Sequence, residues 1–166
     1  MLNNTAYPTM NDFASAKSFL FVYENALSKD DIELIHQFAM EIKAEKKDVF
    51  FLVYHDFKKV PETVIMKSFD IHVCKKDFNF LKRPASSLAK RHAGIAYDYL
   101  ISFLDNRNER LEQFIRKSKA GAKIGRFEPD NKNLYRITFS SKELNKNMEE
   151  FLGMTGTYLT KIKIVK

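Results

Sequence analysis

The chain has 166 residues and a mass of 19.4 kDa, with 45% hydrophobic and 30% charged residues, a formal net charge of +7, 15 Phe, 7 Tyr and no Trp. That size suits one domain with a continuous core, and that balance excludes a disordered chain. A single cysteine, Cys74, excludes an internal disulfide, and no apolar run nears the roughly 18 residues of a membrane span.

The opening stretch MLNNTAYPTMNDFASAK has neither a basic head before an apolar core nor a small-residue cleavage pattern. No secretory signal is expected, and cytoplasmic residence follows by default. Residues 1–15 read as a flexible or loosely docked arm, and 16–166 as a single α/β domain. KSFLFVYE (17–24) is an unbroken apolar run of strand length, as for a central strand covered on both faces. Ser28 then opens a helix with Asp31 at capping distance, and Ile32, Ile35, Phe38, Ala39 and Ile42 form one apolar stripe running to about Lys46. DVFFLVYH (48–55) is a second buried strand, so strand, helix and strand make a parallel crossover unit.

FKKVPETVIMKS gives mixed signals, with Pro61 barring a long helix, before FDIHVCKKDF resumes as a shorter third strand. Cys74 within it is expected buried and inert. PASSLAKRHAG reads as a short helix with Pro84 in its first turn and Gly94 as a left-handed stop. Tyr97–Asp105 is a fourth strand. Asn106 with Glu109 marks the next helix, whose Leu111, Phe114, Ile115 and Ser118 face inward. AKIGR and LYRITFS are two more short strands. Ser140 with Glu143 caps a last helix striped by Leu144, Met148, Phe151, Leu152, Tyr158, Leu159 and Ile162, with Gly153 and Gly156 weakening its middle. The sum is a three-layer Rossmann-like α/β domain, with a mostly parallel five- or six-stranded sheet and helices on both faces. Strand one lies centrally, with strands two and four beside it.

Several chemistries are excluded by what is missing. A dinucleotide site needs glycine at the first strand-to-helix turn, where the backbone must approach a pyrophosphate, and that turn reads YENALSKDD, with no Gly and three acids. No Walker loop is present, no serine sits in a Gly-x-Ser-x-Gly elbow, and His36, His55, His72 and His92 lack metal-ligand spacing. Asp56 and Asp105 end strands as receiver-type acids do, yet the first strand ends in Glu24 and Asn25 where such a site wants an acidic pair. No cofactor, metal or catalytic residue is expected.

Charge is the stronger signal. Between Lys82 and Arg126 lie 11 of the 28 basic residues and only 4 of the 21 acidic ones, so the rest of the chain carries 17 of each sign. The whole excess of positive charge belongs to one contiguous third of the chain. It begins inside KKDFNFLKRP (75–84), a segment dense in aromatic and basic residues.

KKDFNFLKRP, YDYLISFLD and SKAGAKIGRFEP, in this order, resemble an uncharacterised family of small Rossmann-like proteins from the Bacteroidota. Its members carry a Lys-Asp-aromatic-Asn-aromatic segment ending in basic-Pro. The resemblance spans about Ala16 to Ile162 and implies a fold without an established activity. Tyr97–Asp98 and Ala122–Phe127 also look like part of the N-terminal domain of heptosyltransferase-type glycosyltransferases. That resemblance supports the fold and argues against the activity, because the enzyme needs a second Rossmann domain for which 166 residues leave no room.

Two placements of KKDFNFLKRP are distinguished. In the structural one Phe78, Phe80 and Leu81 pack against the sheet edge while Lys82 and Arg83 stay in water. In the functional one the segment begins a contact surface through Lys82, Arg83, Lys90, Arg91, Arg107, Arg110, Lys117 and Arg126, with Arg110 and Lys117 seven apart on one helix face, off its apolar stripe. The sequence thus points first to a non-catalytic binding or adaptor module. The alternatives are RNA or ribonucleoprotein binding through the same surface, and a small-molecule or transferase-like site at the carboxyl edge of the sheet from Glu24, Asn25, Asp105 and Arg107. An acidic protein or RNA is the expected partner, and a membrane is not.

Overall fold

The computed structural model describes residues 11–65, 67–104, 107–126, 133–139 and 147–161. Six strands, β1 (Ser18–Glu24), β2 (Asp48–His55), β3 (Asp70–Cys74), β4 (Tyr99–Ser102), β5 (Ala122–Arg126) and β6 (Ile137–Phe139), form one sheet in the order β3-β2-β1-β4-β5-β6. Every pairing is parallel. The domain is therefore a Rossmann-like three-layer α/β fold with β1 between β2 and β4, as the buried run at 17–24 demands. Strand alternation divides β1 by chemistry: Phe19, Phe21 and Tyr23 enter one core, and Leu20 and Val22 the other.

The aromatic core is covered by α1 (Lys29–Ala44) and α4 (Met148–Lys161), the aliphatic one by α2 (Ser87–Gly94) and α3 (Glu109–Lys117). On the first face Phe19 stacks on Tyr99 at 5.1 Å and Phe21 on Phe103 at 5.7 Å, tying β1 to β4. Ser28 caps α1 as its spacing predicts, accepting from the Asp31 N–H at 3.1 Å, and the helix stops at Ala44. α4 runs unbroken through Gly153 and Gly156, so neither glycine interrupts it. Ser140, Glu143, Leu144 and Ile162 lie outside the described residues. Among the described residues, no helix is long and apolar enough to cross a membrane.

Three local expectations are corrected. Pro84 precedes α2, which is capped by Ser86 accepting from the Ala89 N–H at 3.1 Å. Gly94 keeps a negative φ inside that helix and Ile95 is its cap, so no left-handed stop is used. α3 is capped by Asn108, whose Oδ1 accepts from the N–H groups of Arg110 and Leu111, both at 3.1 Å. Asn108 thus holds the role expected of Asn106, a residue outside those described. Residues 11–17 are tied to the body. Asp98 accepts from the Asn11 amide at 2.6 Å and from the backbone of Lys17 at 2.7 Å and Ser18 at 3.0 Å, while Lys47 donates to the carbonyls of Phe13 and Ala16. Burial raises the Asp98 pKa, but these donors outweigh it and hold the carboxyl below its usual range.

Candidate anion-binding groove

An all-parallel sheet gathers the strand carboxyl ends on one edge, and ligands usually enter where the winding direction reverses, here between β1 and β4. Across that crevice the Asn108 amide donates to the Glu24 carboxylate, and on the β2 side the Asn25 backbone N–H bonds the Tyr54 carbonyl at 2.9 Å. Beside it the Tyr54 hydroxyl donates to Asp56 at 3.0 Å, and Lys75 pairs with Asp56 at 3.1 Å. The Lys75 hydrogen bond holds the Asp56 carboxyl below its usual range, and burial with the Asp56 contact lifts the Tyr54 phenol to about 12. Arg107 lies 3.7 Å from Glu112. Asp105, the fourth residue expected here, lies outside the described residues.

A different region gathers uncompensated charge. The loop after β3, α2 and the end of α3 border an open groove of about 330 Å³ lined by Asn79, Arg83, Pro84, Lys90, Ala93, Gly94, Lys117 and Lys119. Four of these are cations and none is an acid. Arg83, Lys90, Lys117 and Lys119 are all exposed, and none makes an ion pair with a described residue. Helix dipoles explain part of this, since Lys117 ends α3 and a cation there gains roughly 0.3–1 kcal/mol. They do not explain Arg83 or Lys119, which stand outside the helices. Lys119 is placed by its N–H, which bonds the Ala93 carbonyl at 3.0 Å and ties the end of α3 to the end of α2.

The expected basic surface is therefore divided. Arg83, Lys90 and Lys117 meet in the groove, and Arg91 is exposed on the same helix as Lys90. Lys82 is engaged by Glu109, and Arg107 by Glu112. Arg110 shares α3 with Lys117 but is half-buried and turned to Tyr54 and Asp56, so its reversal would disturb the edge as well as any partner. Arg126 is only 6% exposed, its guanidinium lying 5.3 Å from the Phe151 ring and against the Met148 sulfur, which removes it from the surface. Lys119 was not singled out in the sequence; its signal was a lysine two residues past Lys117, just where the helix stripe ends.

KKDFNFLKRP adopts neither simple placement. Phe78 is buried and packs edge-on to Tyr54 at 6.0 Å, but Phe80 is 90% exposed and Leu81 is 50% exposed, so the expected packing of all three holds for Phe78 alone. The loop itself is firmly built. Phe78 and Pro84 form an antiparallel bridge, the Asn79 N–H bonds the Arg83 carbonyl at 2.9 Å, and the Lys82 N–H bonds the Asn79 carbonyl at 2.8 Å. Lys82 takes the left-handed conformation, with φ 58°, to close this turn. The buried Asp77 carboxylate accepts from the Cys74 N–H at 2.8 Å, and the Asp77 carbonyl accepts from Ala85 and Ser86. Cys74 is buried and its thiol pKa is pushed up by that burial, as expected of an inert thiol.

The chain belongs to a family of unknown function, DUF6913, whose sequence model matches residues 2–162. No curated protein and no solved structure matches it.

Proposed function

We propose that this chain is a non-catalytic binding module whose α2–α3 groove receives an anionic partner, an acidic protein or RNA. One observation carries the reading: four exposed cations line one groove with no carboxylate among its described residues. Like charges gathered without counterions repel one another, and a partner that supplies anions relieves that repulsion. Binding of this kind needs proximity and no catalytic geometry. The carboxyl edge offers less, because its acids and cations are mixed, Glu24 being held by Asn108 and Asp56 by Tyr54 and Lys75. The lone buried Cys74 fits a reducing, cytoplasmic setting.

The test is titration of the protein with long-chain inorganic polyphosphate and with a poly-glutamate peptide at 50 mM and 200 mM salt. Binding of at least one probe, weakening with salt and abolished by Lys90→Glu with Lys117→Glu, is expected. For a phosphate polymer, log Kd should change with log salt by roughly 0.7–0.9 per phosphate contact. Absence of binding by both probes at the lower salt sinks the reading.

A further inference from the structure

We infer that the groove's partner is a single-stranded polynucleotide, with phosphates along the groove and a base stacked on Phe80. This rests on the anion-binding reading and adds the class of polymer to it.

Three observations support the addition. First, Phe80 follows the groove-lining Asn79 directly and is 90% exposed, the highest exposure among the large apolar side chains described. Second, it is held out by structure rather than left loose: the Asn79–Arg83 turn is closed by two backbone bonds and by the Arg83 N–H on the Asn79 side-chain oxygen at 3.0 Å. An aromatic ring kept in water on a stiff turn is pre-organised to meet another flat surface, and little ordering is left to be done on binding. Third, a second exposed ring, Phe57, lies on the loop whose Phe57 carbonyl accepts from the N–H of Lys75 at 2.9 Å, where the segment that carries Phe80 begins.

Exposed rings beside a cationic groove are how proteins hold single strands without reading sequence, since every unpaired base offers a face to stack on. A duplex keeps its bases stacked internally, so it would engage only the cations. A bilayer is the competing use for an apolar tip with basic neighbours. The groove argues against it: Lys117 and Lys119 sit with α2 and α3, within a concave site lined also by Ala93 and Gly94. A phosphate chain can follow a concave track, and a flat headgroup surface cannot.

The experiment uses the full chain, which contains no Trp. Phe80→Trp then supplies the only indole, and its exposed position makes the change harmless to the core. Fluorescently labelled U12 RNA, dT12 DNA, a 12-base-pair duplex and long-chain polyphosphate are titrated against the unmodified chain, Phe80→Ala and Phe80→Trp. Phe80→Ala should weaken both single strands about tenfold and leave duplex and polyphosphate within twofold. Phe80→Trp should keep the single-strand affinity, with the indole emission quenched on binding. A tighter U12 than dT12 would mark contacts to the 2′-hydroxyl and equal values a backbone-and-stacking mode, and either supports the inference. Unchanged single-strand binding by Phe80→Ala, or an unquenched indole, overturns the stacking inference while polyphosphate binding keeps the groove reading. Phe80-dependent binding to phosphatidylserine vesicles without single-strand binding overturns it in favour of a membrane contact. If neither polyphosphate nor single strands bind, the stacking inference falls, and the groove reading falls with it only if the poly-glutamate peptide also fails to bind.

Discussion

The carboxyl edge and the α2–α3 groove are built from similar residues, but their charges are settled differently. At the edge acids stand among donors and cations: Glu24 has the Asn108 amide, Asp56 has Tyr54 and Lys75, Glu109 has Lys82, and Arg107 lies 3.7 Å from Glu112. In the groove Arg83, Lys90, Lys117 and Lys119 meet with no acid among them. A Rossmann-like topology directs attention to the first region, and the charge balance directs it to the second. The lesson is that the location of a binding site follows uncompensated charge and exposed shape, while the fold supplies only a prior.

The sharpest way to break this contrast is to reverse the groove. Lys90→Glu with Lys117→Glu turns two of its four cations into anions, and should lower the affinity for single-stranded RNA on the order of a hundredfold at about 0.1 M salt. Thermal stability should fall only modestly: both residues are exposed and without ion-pair partners among the described residues, and Lys117→Glu forfeits the roughly 0.3–1 kcal/mol that a cation gains at the end of α3. If anisotropy titrations show the double variant binding as before, the groove is a solvated surface.

The mirror experiment addresses the edge. Asn108→Ala removes both the α3 cap and the Glu24 contact, and should cost about 1–2 kcal/mol in chemical denaturation. Polyanion affinity should remain within twofold. A large loss of affinity without loss of stability would make the edge the functional site after all.

A pH series separates the two regions from the rest of the body. His36, His55, His72 and His92 all have pKa values lowered first by burial, so the folded state holds them neutral while the unfolded chain protonates near 6.5. Between that value and the lower folded-state ones the unfolded chain binds more protons, so stability should fall as pH drops below about 6.5. His55 and His72 are the main suspects. Their rings bond each other at 2.9 Å between β2 and β3, with the outer nitrogens, His55 Nδ1 and His72 Nε2, buried without hydrogen-bond partners. Denaturation midpoints from pH 7.5 to 5.5 should flatten in His72→Phe. An equally steep profile in that variant would transfer the effect to the three remaining histidines.

Much of the fold was legible because local pattern and burial agree where a strand is covered on both faces. FLFVY and VFFLVY could be nothing but central strands, and Ser28 with the Ile35–Ala39–Ile42 stripe fixed α1. The groove was half legible. Arg83, Lys90 and Lys117 were named from charge density, but pairing is tertiary, so no local signal distinguished them from Lys82 and Arg107. Arg126 misled because alternation on β5 turns it inward, where its guanidinium lies on Phe151. Phe80 misled in the opposite direction: an aromatic in an apolar segment predicts burial, and only the closure of the 79–83 turn sends it outward.

Lys82 gives the smallest effect and the finest test of the contrast. It lies one residue from Arg83, so sequence proximity assigns both to the same surface, yet its ammonium is engaged by Glu109 and it does not line the groove. The pair is half-exposed, so breaking it with Glu109→Gln should cost no more than about 0.5–1 kcal/mol. Binding should move the other way. With Glu109 neutral, one negative charge beside the Asn79–Arg83 turn is removed and Lys82 becomes available, so RNA affinity should rise about two- to fivefold, while Lys82→Ala should leave it nearly unchanged. A loss of affinity in Lys82→Ala comparable to that of Lys90→Ala would mean that the Lys82–Glu109 pair opens when the partner arrives. The division between paired and unpaired cations would then be a property of the free protein alone.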